Sequence, residues 1–157
     1  MLKCVDLFAG AGGLSCGLGL AGFRPLLANE IIPQYAETYK LNHPRAEMLV
    51  GDIRQVSEAD LVKKLNIKPG ELDLLAGGPP CQGFSVNAPI RSLDDERNHL
   101  FRDYLRVAKQ LRPKFILIEN VPGIISLGRG TVVEKIYEEL AEIGYKVDHR
   151  ILFAGHY

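Results

Sequence analysis

The sequence predicts an α/β fold, a doubly wound, mostly parallel sheet with helices on its faces. Short apolar runs at residues 4–8, 23–28, 48–50, 72–76 and 115–118 alternate with stretches of helical periodicity. The first run opens into Ala9-Gly10-Ala11-Gly12-Gly13 and then a helix, the start of a nucleotide-type βαβ unit. Each run also ends in a polar or glycine-rich device: the glycine loop, Glu30, Asp52, residues 77–85, and Glu119-Asn120. Ligands of such sheets sit beyond the carboxyl ends of the strands, so these five exits form one candidate site.

Composition bounds the reading. At 157 residues the chain can form one domain burying about two-thirds of its unfolded surface. Lys plus Arg equals Asp plus Glu at 19 each, so there is no global basic field of the kind that marks a nucleic-acid binder. Cys4, Cys16 and Cys81 make no C-x-x-C pair and no metal-like spacing with the histidines. That argues for a reducing compartment, against a disulfide framework and against a metal site. Residues 4–23 are apolar, but Asp6 and the glycines at 10, 12, 13, 17, 19 and 22 suit neither a signal peptide nor a spanning helix.

The elements follow in order. Residues 4–8 form the first strand, and residues 14–20 a helix closed near Gly22. A dinucleotide loop, G-x-G-x-x-G, needs glycine at position 15, and Ser15 stands there, which disfavours NAD. Residues 23–28 are the second strand, with Glu30 at its end, where folds of this kind hold ribose hydroxyls. Pro33 starts a helix through Tyr39, and His43 beyond it reads as a capping or loop residue. Residues 48–50 form the third strand. Asp52 after it could accept from an exocyclic amine such as adenine's, with Ile53 packing on the ring. Ser57 and Asp60 read as a capping box for a helix through Leu65. Pro69-Gly70 turns into the fourth strand. Leu100, Phe101, Tyr104, Leu105, Ala108 and Leu111 then give one wide helical face, ended by Pro113. Residues 115–118 suit a strand buried on both faces. Residues 131–143 make a helix with Val133, Ile136, Leu140 and Ile143 inward, stopped by Gly144, and residues 146–153 a sixth, alternating strand.

The chemistry centres on Gly77-Gly78-Pro79-Pro80-Cys81-Gln82-Gly83-Phe84-Ser85. The two prolines fix φ and the glycines admit close backbone, so Cys81 sits on a stiff loop and not in a core strand. A free thiol has a pKa of about 8.5 and needs positive potential or a base to serve as a nucleophile at neutral pH. Glu119 ends an apolar strand, a costly place for a carboxylate unless it is paired or used, and burial there can make it a proton donor. A thiol nucleophile beside an acid suits conjugate addition to an electron-poor ring.

These motifs, in order, resemble the DNA (cytosine-5) methyltransferases. Residues 6–13, Asn29-Glu30, Gly51-Asp52-Ile53, residues 78–85 and Glu119-Asn120-Val121 are similar to the family's cofactor, nucleophile and proton-donor motifs. The resemblance implies the Rossmann-like fold of S-adenosylmethionine-dependent methyltransferases, with S-adenosylmethionine as donor, S-adenosylhomocysteine as product and no metal. It places Phe8 and Asp52 on the adenine and Glu30 on the ribose. Ala9, Gly10, Gly12, Gly13 and Leu14 belong to the cofactor loop, and Ile31, Ile53, Gly78, Pro80 and Leu100 to the same site. Cys81 would add to C6 of a flipped cytosine while Glu119 stabilises the protonated N3. Asn120 would brace the Cys81 loop, with Pro79, Gln82, Ser85, Arg97 and Val121 toward the substrate.

Family members continue past a position like Tyr157 into a two-arginine motif, a seventh strand, a target-recognition region and a returning helix. The 157 residues contain none of these, so the expectation is a partial catalytic domain, incomplete at its C-terminal sheet edge. It would be a truncated fragment, or one part of a split enzyme acting on DNA with a second polypeptide. The implied setting is the prokaryotic cytoplasm, at the nucleoid, with no membrane. Cytosine in tRNA is the alternative substrate, and a non-catalytic cofactor-binding or assembly module the alternative class.

Overall fold

A computed structural model describes residues 1–80 and 99–156 of the chain. The five strands β1 (Leu2–Leu7), β2 (Phe23–Glu30), β3 (Glu47–Val50), β4 (Leu74–Gly77) and β5 (Phe115–Ile118) form a parallel sheet in the order β3-β2-β1-β4-β5. The order reverses between β1 and β4. Their carboxyl ends are level, with Leu7 opposite both Asn29 and Gly77, and Gly77 opposite Ile118.

Side chains alternate across β1, and this sorts the helices. Val5 and Leu7 point into the main core with Leu27 and Leu75. Leu61 and Leu65 of α3 (Glu58–Leu65) and Tyr104, Val107, Ala108 and Leu111 of α4 (His99–Leu111) complete that layer. On the opposite face Cys4 packs with Leu18 of α1 (Gly13–Leu20), and Ala28 with Tyr39 of α2 (Pro33–Asn42).

Local chemistry sets the boundaries. Gly22, at φ 89, follows α1, and Pro33 occupies the first turn of α2. Ser57 Oγ accepts from Asp60 N at 3.1 Å and donates to Asp60 Oδ2 at 2.6 Å, the cap expected for α3. Pro113 bars α4 from continuing.

Three expectations are corrected. Residues 146–153 form no strand: among the described residues no further strand lies beside β5, and most of that segment is exposed. β5 is not buried on both faces. Ile116 and Ile118 pack on the core, whereas Phe115 is 70% exposed and Leu117 40% exposed. The helix expected at residues 131–143 is present as α6 (Thr131–Glu142), after a short α5 (Gly123–Ser126) and a 3-10 turn, but its buried residues are Val132 and Leu140, while Val133, Ile136 and Ile143 are half-buried.

Candidate active site at the strand exits

The glycine loop bridges β1 and α1. Phe8 adopts φ 59, a left-handed conformation that costs a non-glycine residue about 1–3 kcal/mol and marks a site held by its surroundings. Ala9 N donates to Asn29 O at 3.0 Å and Gly12 N to Ala9 O at 3.0 Å, closing the turn. A Cβ at Gly12 would lie 2.6 Å from His43 Nε2 and 2.9 Å from Tyr39 Cδ2, so α2 is packed directly against the loop there. At Gly10 and Gly13 a Cβ would meet nothing within 4 Å, so the loop is open beside both. Leu14 is half-buried.

Glu30 ends β2 with its carboxylate held by two backbone amides. Gly10 N donates to Oε2 at 2.8 Å and Ile32 N to Oε1 at 2.9 Å. The acid thus ties the loop to the start of α2, and each oxygen keeps a lone pair for a further donor. Ile31 beside it is 58% exposed. Asn29 spans to the third exit, Nδ2 donating to Leu49 O at 3.0 Å and Gly51 O at 2.9 Å.

Asp52 caps the 3-10 turn Ile53–Gln55 by accepting from Arg54 N at 2.9 Å. It also pairs with the Arg54 guanidinium, Nη2 to Oδ2 being 2.6 Å. These bonds, foremost the side-chain one, hold the Asp52 carboxyl below the usual carboxylate range. Ile53 is buried in the main core.

On the other side of the switch point β4 and β5 deliver the remaining exits. A Cβ on Gly77 would stand 2.5 Å from Leu7 O, and one on Gly78 would stand 3.3 Å from Glu119 Oε2. Two bare glycines therefore let β1 and the Glu119 carboxylate approach this turn. Asn120 Nδ2 donates to Pro79 O at 3.0 Å, while Asn120 Oδ1 accepts from Val121 N at 2.9 Å. Pro79 is buried, Pro80 and Leu100 half-buried, and Val121 exposed. Glu119 is exposed. Cys81, Gln82, Ser85 and Arg97 lie outside the described residues.

The sequence alone missed a buried polar chain under the loop. Asp6 is 1% exposed, and its Oδ2 accepts from Ser15 Oγ at 2.7 Å. Ser15 Oγ lies 2.8 Å from Tyr39 OH, which donates since Ser15 has given its proton to Asp6. His43 Nε2 donates to Gly12 O at 3.0 Å. Ser15, which spoils the dinucleotide spacing, is thus the partner Asp6 requires. The visible signals were an acid inside an apolar strand and a serine where glycine was due. Burial, with Glu30 nearby, pushes the Asp6 carboxyl up against the opposing pull of Ser15 and His43.

Among the described residues no cluster of three or more His, Cys, Asp or Glu is arranged to hold a metal, and no helix is long and apolar enough to cross a membrane.

The family model for C-5 cytosine-specific DNA methylase matches residues 2–157. Type II methyltransferase M1.HphI of Haemophilus parahaemolyticus is 41% identical over 98% of this chain and 41% of its own length. M.AquIA of Picosynechococcus is 35% identical over 98% of this chain and 65% of its own. Among solved structures, a putative DNA modification methyltransferase encoded in an E. coli prophage superposes with a TM-score of 0.74 at 33% identity. It covers 90% of this chain and 38% of that one. The S. pombe Dnmt2 methyltransferase gives 0.67 at 27% identity, over 90% and 42%. The chain spans about two fifths of the length of most of these relatives. A parallel sheet with a glycine loop and carboxylates at its exits, matched along its whole length, places this chain in the C-5 cytosine-specific DNA methylase family.

Proposed function

We propose that the chain carries the cofactor-binding and catalytic part of an enzyme that methylates C5 of cytosine in DNA. The observation that carries this is the bond from Asn120 Nδ2 to Pro79 O. It fastens the exit of β5, with Glu119, to the turn that runs two residues later into Cys81.

The cradle suits S-adenosylmethionine. Gly10 and Gly13 leave the loop open, Glu30 has lone pairs for ribose hydroxyls, and Phe8 would flank an adenine whose amine donates to Asp52, while Ile53, buried in the core, anchors the turn beneath it. Bound there, S-adenosylmethionine supplies an electrophilic methyl group and leaves as S-adenosylhomocysteine. Cys81 adds as thiolate to C6 of a cytosine turned out of the duplex, and the ring electrons move toward C5. Glu119 holds a proton at N3 and balances the charge that builds in the ring. The flipped base itself covers the exposed Glu119 and supplies the low-dielectric surroundings. Loss of the C5 proton and expulsion of Cys81 restore aromaticity and thiolate. Asn120 keeps the Cys81 turn in place, and Gln82, Ser85, Arg97 and Val121 meet the substrate.

The net charge of zero leaves most duplex contacts to a second polypeptide, or to further sequence, bearing the recognition elements. Trapping tests the reading. The protein, with S-adenosylmethionine and a 5-fluorocytosine duplex, should give a denaturation-resistant adduct that Cys81→Ala abolishes, when the partner polypeptide is present. An adduct with 5-fluorocytosine tRNA in place of DNA would move the substrate to RNA. Cofactor binding without either adduct would leave a binding module.

A further inference from the structure

Arg106 has no part in the reading given above, and nothing in its sequence neighbourhood explains it. It sits on α4, the helix that follows the Cys81 loop, yet its guanidinium reaches fifty residues back along the chain. Nη2 donates to Ile53 O at 2.8 Å and Nη1 to Val56 O at 3.2 Å, while Nε meets Asp103 Oδ1 at 3.2 Å. Ile53 and Val56 are the first residue and the C-cap of the 3-10 turn that follows Asp52.

Ile53 anchors that turn in the core and Asp52 caps it, but the carbonyls of Ile53 and Val56 are held from outside the turn by Arg106. The turn is three residues long, and its own backbone bonds are Gln55 N to Asp52 O at 3.0 Å and Val56 N to Ile53 O at 3.2 Å. Short 3-10 segments have poor hydrogen-bond geometry and rarely hold their shape unaided. A planar guanidinium offers two parallel donors at fixed spacing, which an ammonium cannot copy. The charge makes these bonds stronger than neutral ones.

We infer that Arg106 is a positioning residue for the adenine end of the cofactor site, fixing the turn so that Asp52 meets the exocyclic amine. The inference rests on the S-adenosylmethionine reading. Leu100, half-buried on the same helix, is among the residues that the S-adenosylmethionine reading assigns to the same site.

The experiment compares two products as ligands, S-adenosylhomocysteine and S-inosylhomocysteine, in which an oxo group replaces the amine. Wild type should prefer the amine. Arg106→Lys keeps the charge but not the fork, and should weaken S-adenosylhomocysteine about tenfold, the loss of one charge-assisted bond. S-inosylhomocysteine should weaken much less, so that the preference collapses. A general loosening of the fold would lower both affinities alike and keep the preference, which overturns the assignment. Asp103→Ala, which leaves the guanidinium in place but removes the acceptor of its Nε, should erode the preference about twofold, and decides the matter if Arg106→Lys does not fold. An unchanged preference in Asp103→Ala then overturns the assignment. Wild type that binds neither ligand overturns the S-adenosylmethionine reading and this inference with it. Wild type that binds both equally shows that the base is not read through its amine, and overturns this inference alone.

Discussion

Asp6 shows what a single residue contributes to this site. Its Oδ1 is buried with no hydrogen-bond partner, and its Oδ2 depends on Ser15. An acid in that position loses stability when it ionises. Unfolded, its pKa is about 3.9; folded, it is raised, chiefly by burial. Between the two values the folded protein holds a proton that the unfolded chain has released. Its contribution is therefore complete below about pH 4 and is lost as pH rises through the folded value. In urea unfolding from about pH 4 to pH 8, wild type should lose stability relative to Asp6→Asn as pH rises. A difference that stays flat would mean that Asp6 titrates normally. The oddity of Asp6 was legible in the sequence, but its partners were not. Ser15 and Tyr39 lie on two different helices, and only the packing of both against one face of the sheet brings them together. His43 read as a capping or loop residue and does cap the end of α2, but its contact with Gly12 was not legible, because it crosses from one βα unit to another.

Elements whose rules are local were legible, and those that depend on a neighbour were not. The α3 cap needs only Ser57 and Asp60, and the start of α2 only Pro33, so both stand where the sequence placed them. The strand expected at residues 146–153 shows the opposite, because alternation describes a face but cannot supply an edge to pair with. β5 was misjudged similarly: four apolar residues in a row fit a strand covered twice, while Phe115 and Leu117 have only one layer beneath them. The β1–β4 seam tests how closely the two halves of the sheet must approach. Gly77 would bring a Cβ 2.5 Å from Leu7 O and 3.0 Å from Tyr104 Cε2. No rotamer change moves a carbonyl in a strand, so Gly77→Ala should cost about 1–3 kcal/mol, as overpacking does. Urea midpoints of the two proteins measure it. An alanine variant as stable as wild type would show that β1 and β4 have room between them at their exits.

At the scale of the whole molecule the two edges of the sheet are treated differently. On β3, Glu47 is ion-paired with Lys64 at 2.8 Å, and charge of this kind discourages pairing with another chain. β5 carries no charged residue, and its ladder is paired only on the β4 side among the described residues. Phe115 is 70% exposed there, and Ile151, Leu152 and Phe153 later in the chain are each about two-thirds exposed. Net charge is zero at pH 7 and the isoelectric point about 6.9, so long-range repulsion does not keep copies apart. The 157-residue chain by itself should therefore associate through β5 at tens of micromolar, the same surface that the proposed second polypeptide would cover. Sedimentation velocity across a concentration series reads this directly. Phe115→Lys puts a desolvation penalty on that edge while leaving Ile116 and Ile118 in the core, so the variant should stay monomeric with an unchanged urea midpoint. If wild type is monomeric throughout, or if Phe115→Lys associates as wild type does, the β5 edge is not a sticky surface, and the second polypeptide must join elsewhere.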